Sequence, residues 1–417
     1  MFLKNYHHFE NKETTMLMVI ILFSFLIRIP VILIYGDTSL ENEWKIIVEN
    51  LVEHEILAFR NFDGYLLPNL YMPPLYPIYL YLFSFFDLSE NNYVFLILLS
   101  QAFLSSVSVI IFYKINRFFF SQKISFYSSV LFSIIPLHLY ACSQISSASI
   151  QSFLLVLFFY CFFLYTRNKI FLTAFIFSIV SALLILLRGE FTIFYLFSIL
   201  FLFLFFKVSI KKIFLILLIT TITISPYLVR NFILFEKIAI TKSLGFNLWK
   251  GNNPNSLVQG SEISNPELKE KIDSIPRDKF YEFNFDKIYL DEAINNINEQ
   301  PKKYLILFFE KILSFLFIDI KSTQINYYHP LHYLPVLFLG ITSIIGIIVS
   351  DKKSKELNYL IIFFAANIII FSIFFILPRY KMATLPLQII FTNILIDYIN
   401  KKFLKIKNKK DSSETNR

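Results

Sequence analysis

Two cysteines in 417 residues, Cys142 and Cys161, exclude a disulfide framework, and their places in or at the ends of apolar segments make them packing residues. The histidines His138, His329 and His332 lack metal-ligand spacing, so packing or interfacial roles fit them better. No small-residue cleavage site follows the first apolar run, 17–35, which therefore reads as a retained helix and not as a removed signal peptide. There is no tandem repeat. Glycine, with 8 residues, and alanine are scarce beside phenylalanine, with 51; this resembles the usage of an AT-rich genome and carries no mechanism. A formal charge of +9 would suit nucleic acid, but the bases cluster at the ends of apolar segments and in the C-terminal tail, where membrane topology explains them.

What the chain does hold is apolar residues, 56% of the total, with a mean hydropathy of +0.59. They fall in repeated runs of spanning length that a soluble chain could not hide in its cores. The expected fold is an all-α polytopic membrane protein with about ten transmembrane helices. Spans are expected at 17–35, 93–113, 124–141, 150–165, 170–187, 191–206, 213–229, 331–350, 357–377 and 382–398. Segment 74–86 is too short to cross, and 304–318 carries Glu310 and Lys311 in its middle, so both read as interfacial helices.

Charge tests this choice, because cytoplasmic loops should hold the Lys and Arg. With the N-terminus inside, the inside loops receive Lys114, Arg117 and Lys123, then Arg167 and Lys169, then Lys207, Lys211 and Lys212, then Lys352, Lys353 and Lys355, and finally the tail. Counting 304–318 as an eleventh span would send the basic tail outside. The chain thus divides into an N-terminal transmembrane module, 1–229, with a first outer loop at 36–92; an outer cap, 230–303, with helical patterning around 279–298; an interfacial helix and C-terminal spans, 304–400; and a basic cytoplasmic tail, 401–417. The expected location is a plasma (inner) membrane, with the chemistry on its extracytoplasmic side.

Three outer segments carry candidate chemistry. The first loop reads GDTSLENEWKIIVENLVEHEILAFRNFDGYLLPNLYMPPLYP and places Asp37, Glu41 and Glu43 just beyond the membrane. Carboxylates there can act as a general base for an acceptor hydroxyl, or simply favour a helix start. The stretch 44–57 is amphipathic and suits the membrane surface, and Pro73, Pro74 and Pro77 then break the chain into turns. Arg188 and Glu190 flank Gly189 between two apolar runs, as a phosphate site or as an ion pair at a tight corner. Arg379, beside Tyr380, can fork onto a phosphate or snorkel to the interface; the same choice holds for Arg230. Asn247, Trp249, Asn252 and Asn253 offer an aromatic face and amides for a sugar, though GNNP is also turn chemistry. Arg28, inside the first span, is a functional candidate by its depth or a residue reaching to the outer interface.

An acidic cluster after the first span, an amphipathic stretch and then PPLYP resemble the first outer loop of the GT-C membrane glycosyltransferases, the superfamily of protein O-mannosyltransferases and aminoarabinose transferases (glycosyltransferase family 39-like). LLRGEF at 186–191, SPYLVRNF with NLWKGNNP within 225–254, and PRYKMATLP at 378–386 are similar to later family segments and occur in the family's order. The resemblance spans most of the chain and rests on the ordered set, each motif being weak alone. It implies sugar transfer with inversion from a polyprenyl-phosphate sugar to a glycolipid, polysaccharide or protein, with no nucleic-acid partner. One first-loop carboxylate would be the base, Glu41 favoured over Glu43 and Asp37. Arg188, Arg230 and Arg379 would bind phosphate, and Glu190, Tyr380 and Tyr76 of PPLYP would line the site. A divalent cation is compatible with this chemistry, but no dedicated ligand set is visible. The chain departs from the family twice: Trp44 stands where a Tyr is usual, and QISSASIQ at 144–151 lacks the acid many relatives carry there. A transporter or flippase, or a polysaccharide polymerase or ligase, is the alternative class. Transporters gather charge near the midplane, whereas here the polar groups collect outside.

Overall fold

The computed structural model describes residues 2–86, 88–322, 325–350 and 354–414. Most of the chain is helical, as hydrocarbon demands: without water, backbone N–H and C=O groups must pair within their own segment. The N-terminal bundle runs α1 (Phe2–Tyr35), α2 (Asn42–His54), α3 (Leu75–Tyr81), α4 (Glu90–Asn116), α5 (Gln122–Ile134), α6 (Pro136–Ala141), α7 (Ala148–Asn168), α8 (Phe171–Leu187), α9 (Phe191–Leu204) and α10 (Ile210–Phe235). The cap contributes α11 (Leu244–Gly251), α12 (Pro266–Asp273) and α13 (Tyr281–Glu299). Then follow α14 (Pro301–Leu316), α15 (Pro330–Val349), α16 (Lys355–Ile373), a 3-10 turn at Pro378–Ala383 and α17 (Leu385–Glu414).

Among the described residues, six helices are long and apolar enough to cross a membrane: Glu13–Tyr35, Glu90–Asn116, Ala148–Asn168, Ile210–Phe235, Pro330–Val349 and Lys355–Ile373. The other expected spans are shorter, broken or polar at one end. The 17 residues of α8 reach roughly 26 Å at about 1.5 Å per residue, against a hydrocarbon core of about 30 Å. Run 124–141 divides into α5 and α6 because Pro136 opens a new helix and holds Ile135 extended, at φ −59° and ψ 124°. The interfacial candidate 304–318 lies in α14, which is not among the six.

The bases expected inside meet at one end of the bundle, where lysines close helix C-termini. Lys169 Nζ donates to the Phe206 carbonyl at 3.2 Å, Lys212 Nζ to that of Lys169 at 2.9 Å, and Lys355 Nζ to that of Phe205 at 2.9 Å. Lys352 and Lys353 lie outside the described residues. Between the ends, polar side chains join helices: Asn393 Nδ2 donates to Asn116 Oδ1 (3.0 Å) and Ser128 Oγ (2.7 Å). Arg28 does not reach the interface. It is fully buried, donating to Ser24 O (2.5 Å), Ser24 Oγ (2.6 Å) and Ser105 Oγ (3.0 Å), with His138 Nδ1 3.1 Å away.

One element corrects the all-α expectation. Residues Ala58–Phe62 (β1) and Tyr65–Pro68 (β2) form an antiparallel hairpin. Its turn is Asp63-Gly64, both with positive φ, 51° and 93°, the conformation that Asp-Gly favours between strands. The hairpin belongs to the cap: Leu67 joins Trp249, Leu268, Tyr281, Phe285 and Tyr289 in a hydrophobic cluster separate from the bundle core. In that cap α11 lies so close to α13 that a side chain at Gly245 would strike the Asp286 carbonyl. Asp286 Oδ1 accepts the Gly245 and Phe246 N–H groups at 2.7 and 3.2 Å, capping α11.

Candidate functional site

The end of the bundle opposite the lysine caps collects the sequence candidates. α1 stops at Tyr35, and Asp37 turns back onto the segment between α6 and α7: its N–H donates to Ser143 O at 3.1 Å, and its Oδ2 accepts the Ile145 N–H at 2.6 Å. QISSASIQ therefore orients a first-loop carboxylate through its backbone, while Gln144 Nε2 holds Tyr35 O at 2.8 Å. Burial pushes the Asp37 carboxyl up, the Ile145 N–H lowers it in part, and the Glu41 charge raises it further. Glu41 is exposed at the start of α2 and makes no side-chain cap. Glu43, in the first turn of α2, is half-buried.

Tyr76 is buried, stands edge-on to Trp44 at 4.9 Å, and donates to Gln101 Oε1 at 3.2 Å. It packs the floor beneath the carboxylates. Gln101 in turn donates to Gln144 O at 2.9 Å, so PPLYP, α4 and the Asp37-holding segment form one hydrogen-bonded unit.

The arginine candidates converge on Tyr380. The guanidinium carbons of Arg188 and Arg379 each lie 5.8 Å from its ring, and Arg188 Nη1 pairs with Glu190 Oε1 at 3.4 Å. Two arginines far apart in sequence thus share one patch, because the α8–α9 corner and the 3-10 turn before α17 meet at the same end. Burial pushes the Tyr380 phenol up, while both arginines pull it back. Arg188 Nε is buried and has no hydrogen-bond partner, an uncommon state for a cationic donor. The turn packs against α6 and α7, and α3 against α8, which brings the arginine patch up to the elements that hold Asp37 and Tyr76. Gly189 presses on Thr241, and Lys242 N–H donates to Leu70 O at 2.7 Å, tying corner, first loop and cap together.

Other candidates are committed elsewhere. Arg230 clamps the first loop, donating to Asn69 O at 3.0 Å, Leu57 O at 3.3 Å and Asn231 Oδ1 at 2.7 Å. In NLWKGNN, Trp249, Asn252 and Asn253 are buried and bound within the fold. Trp249 is 2% exposed and packed at a tilt against Phe246 and Tyr289. Asn252 Nδ2 bonds Leu248 O and Ile373 O, and Asn253 closes its own turn through Ser256, Asn255 and Ser261. Asn247 is half-buried on α11, its N–H bonded to Ser243 O at 3.0 Å.

Sequence reasoning missed Arg60 and Glu282. Arg60, on β1, lies 3.6 Å from Glu282 Oε1 on α13 and sits over Phe59, Tyr281 and Phe285 at 4.7, 5.4 and 5.0 Å. Glu282, 2% exposed, accepts the Leu70 N–H at 2.5 Å. It locks the cap onto the stretch entering PPLYP, and burial pushes its carboxyl up to about 7 against the pull of that N–H and of Arg60. Its partner is more than two hundred residues away, so only the Asp63-Gly64 turn signal hinted that Arg60 belongs to an ordered hairpin. Lys311 was also missed: fully buried under the cap, it donates to Gly251 O at 2.8 Å and Asn252 Oδ1 at 3.2 Å. Among the described residues no three or more His, Cys, Asp or Glu are grouped to hold a metal ion.

With this geometry in place, comparison with solved structures identifies the architecture. The oligosaccharyltransferase of Archaeoglobus fulgidus in its apo form superposes with a TM-score of 0.56 at 12% identity, over 95% of this chain and 52% of that one. The same protein, solved with an inhibitory peptide and a dolichol-phosphate, gives 0.56 at 11% identity over the same shares, 95% and 52%. The chain thus shares the fold of this oligosaccharyltransferase's matched part, and it spans about half that protein's length. ArnT from Cupriavidus metallidurans, bound to undecaprenyl phosphate, aligns over 92% of this chain and 78% of that one at 10% identity, with a TM-score of 0.44 that carries no further argument. No protein-family model and no curated protein matches the sequence.

Proposed function

We propose that the chain is a membrane glycosyltransferase that moves a sugar, with inversion, from a polyprenyl-phosphate donor to an extracytoplasmic glycolipid, polysaccharide or protein. The observation that carries this reading is the meeting of an oriented carboxylate, Asp37, and two arginines around Tyr380 at one end of a GT-C fold. The matched oligosaccharyltransferase, solved with dolichol-phosphate, supports a polyprenyl donor.

In this reading Asp37 is the general base, ahead of Glu41 and Glu43. Its Ile145 N–H bond fixes one oxygen and leaves the other to take the acceptor's proton, and its raised pKa improves it as a base near neutral pH. The acceptor oxygen then attacks the anomeric carbon from the face opposite the phosphate. Arg188 and Arg379 stabilise the departing polyprenyl phosphate by charge-assisted hydrogen bonds, the unpartnered Arg188 Nε being a donor ready for it. Glu190 holds Arg188 in place, while Arg230, Tyr76 and the cap shape the pocket. A divalent cation, if bound, would supply charge stabilisation near the phosphate, but among the described residues no three or more His, Cys, Asp or Glu are grouped to hold one.

The test is transfer from a panel of radiolabelled polyprenyl-phosphate sugars by purified protein in lipid, with the anomeric configuration of the product determined. Transfer with inversion supports the assignment. Folded protein that transfers from no donor would turn attention to transport or polymerisation.

A further inference from the structure

At the end of the bundle away from Asp37, a cleft of about 410 Å³ opens between α1, α4 and α7. Two membrane-crossing helices end beside it, at Asn116 and Asn168, and α1 passes it at Glu13, so it lies at the height of lipid headgroups. Its walls carry Lys114, Arg117 and Arg167 against a single acid, Glu13. Glu13 is already engaged: Tyr113 donates to its Oε1 at 2.6 Å and Arg117 pairs with it at 3.9 Å. Lys114 and Arg167 touch only rings, Nζ at 5.8 Å from Tyr160 and Cζ at 4.1 Å from Phe118, and neither pairs with a carboxylate among the residues whose side chains are described. Leu17, Phe118 and Tyr160 give the same cleft an apolar and aromatic side continuous with the helix surfaces.

We propose that this cleft binds the phosphate-bearing headgroup of an anionic membrane lipid. The cleft's balance of two positive charges more than neutralises the single negative charge of a phosphodiester. The aromatic belt side suits glycerol and upper acyl carbons, and a basic pocket between spans at one membrane face is the setting in which such headgroups are held. A free phosphate shares the chemistry but makes no use of the apolar wall. The site is distinct from the proposed sugar-transfer site, at the other end of the bundle, and independent of that reading.

The experiment uses the full chain in nanodiscs of phosphatidylcholine and phosphatidylglycerol, with lipid co-released by native mass spectrometry as the readout. Wild type should retain phosphatidylglycerol in preference to phosphatidylcholine. Lys114→Gln with Arg167→Gln should lower that retention about tenfold or more, while Lys123→Gln with Lys211→Gln, equal in charge but outside the cleft, should leave it unchanged. Equal retention in wild type and the cleft variant, or equal loss in both double variants, would overturn the proposal. Displacement of the lipid by millimolar inorganic phosphate would reassign the cleft to a soluble anion. A photoactivatable phosphatidylglycerol on wild-type protein gives a readout independent of variant folding: it should label peptides covering 113–118 and 160–167, and labelling confined elsewhere would refute the site.

Discussion

The contact between Glu282 and the first loop makes cap closure sensitive to pH. Glu282 is buried where α13 meets the hairpin and the stretch entering PPLYP, and its carboxyl is raised from 4.5 to about 7 because burial outweighs Arg60 and the Leu70 N–H. A carboxyl raised in the closed state stabilises closure fully below pH 4.5, and that contribution is lost as pH rises through about 7. The full shift corresponds to about 3 kcal/mol, or a few hundredfold in the closing equilibrium, as an upper bound because the open state keeps some of the burial. Hydrogen–deuterium exchange of Tyr281–Glu299 and Ala58–Phe62, corrected for intrinsic pH dependence, reads this opening. Protection should fall on the order of a hundredfold between pH 5 and pH 8, with amides inside α4 and α7 unchanged. Glu282→Gln keeps an acceptor for Leu70 N–H but cannot ionise, so its protection should be flat across that range. The same pH-dependent loss in Glu282→Gln, or none in wild type, would refute the reasoning.

Other consequences can be checked separately. Arg188→Ala and Arg379→Ala should each weaken use of the polyprenyl donor by about 1.5–3 kcal/mol, roughly ten- to a hundredfold in kcat/KM, whereas Arg188→Lys should recover part of it; donor titrations in reconstituted protein measure this. Arg28→Met leaves Ser24 and Ser105 without their shared donor inside the bundle, and thermal unfolding in detergent should show a loss of about 1–3 kcal/mol. Asn393→Ala removes the links from α17 to Asn116 and Ser128, and should cost about 1 kcal/mol in the same assay.

The bundle was legible because a spanning helix announces itself by its length of apolar sequence, and because Lys169, Lys212 and Lys355 lie at alternate helix ends as the charge rule requires. What failed to show was pairing across long sequence distance. Nothing near Arg60 pointed to Glu282, and nothing in ENEW and QISSASIQ showed that the second would hold Asp37 by its backbone. The family resemblance favoured Glu41 as the base, yet it stands exposed at a helix start while Asp37 is oriented and partly buried. The meeting of Arg188, Glu190, Arg379 and Tyr380 was anticipated by motif order, since membrane helices that alternate direction bring alternate loops to one face. Trp249 and the GNNP asparagines stay ambiguous in the sequence because an aromatic beside amides reads alike whether it lines a pocket or packs a cap, and burial is a property of the fold.

The measurement that bears most directly on the account is sugar transfer by reconstituted protein from its accepted polyprenyl-phosphate donor, comparing wild type with Asp37→Asn, Glu41→Gln and Glu43→Gln. The account predicts that Asp37→Asn lowers the rate of transfer by about 10²–10⁴-fold with donor binding retained, and that the two glutamate variants stay within about tenfold of wild type. Full transfer by Asp37→Asn, or loss confined to Glu41→Gln, would contradict it.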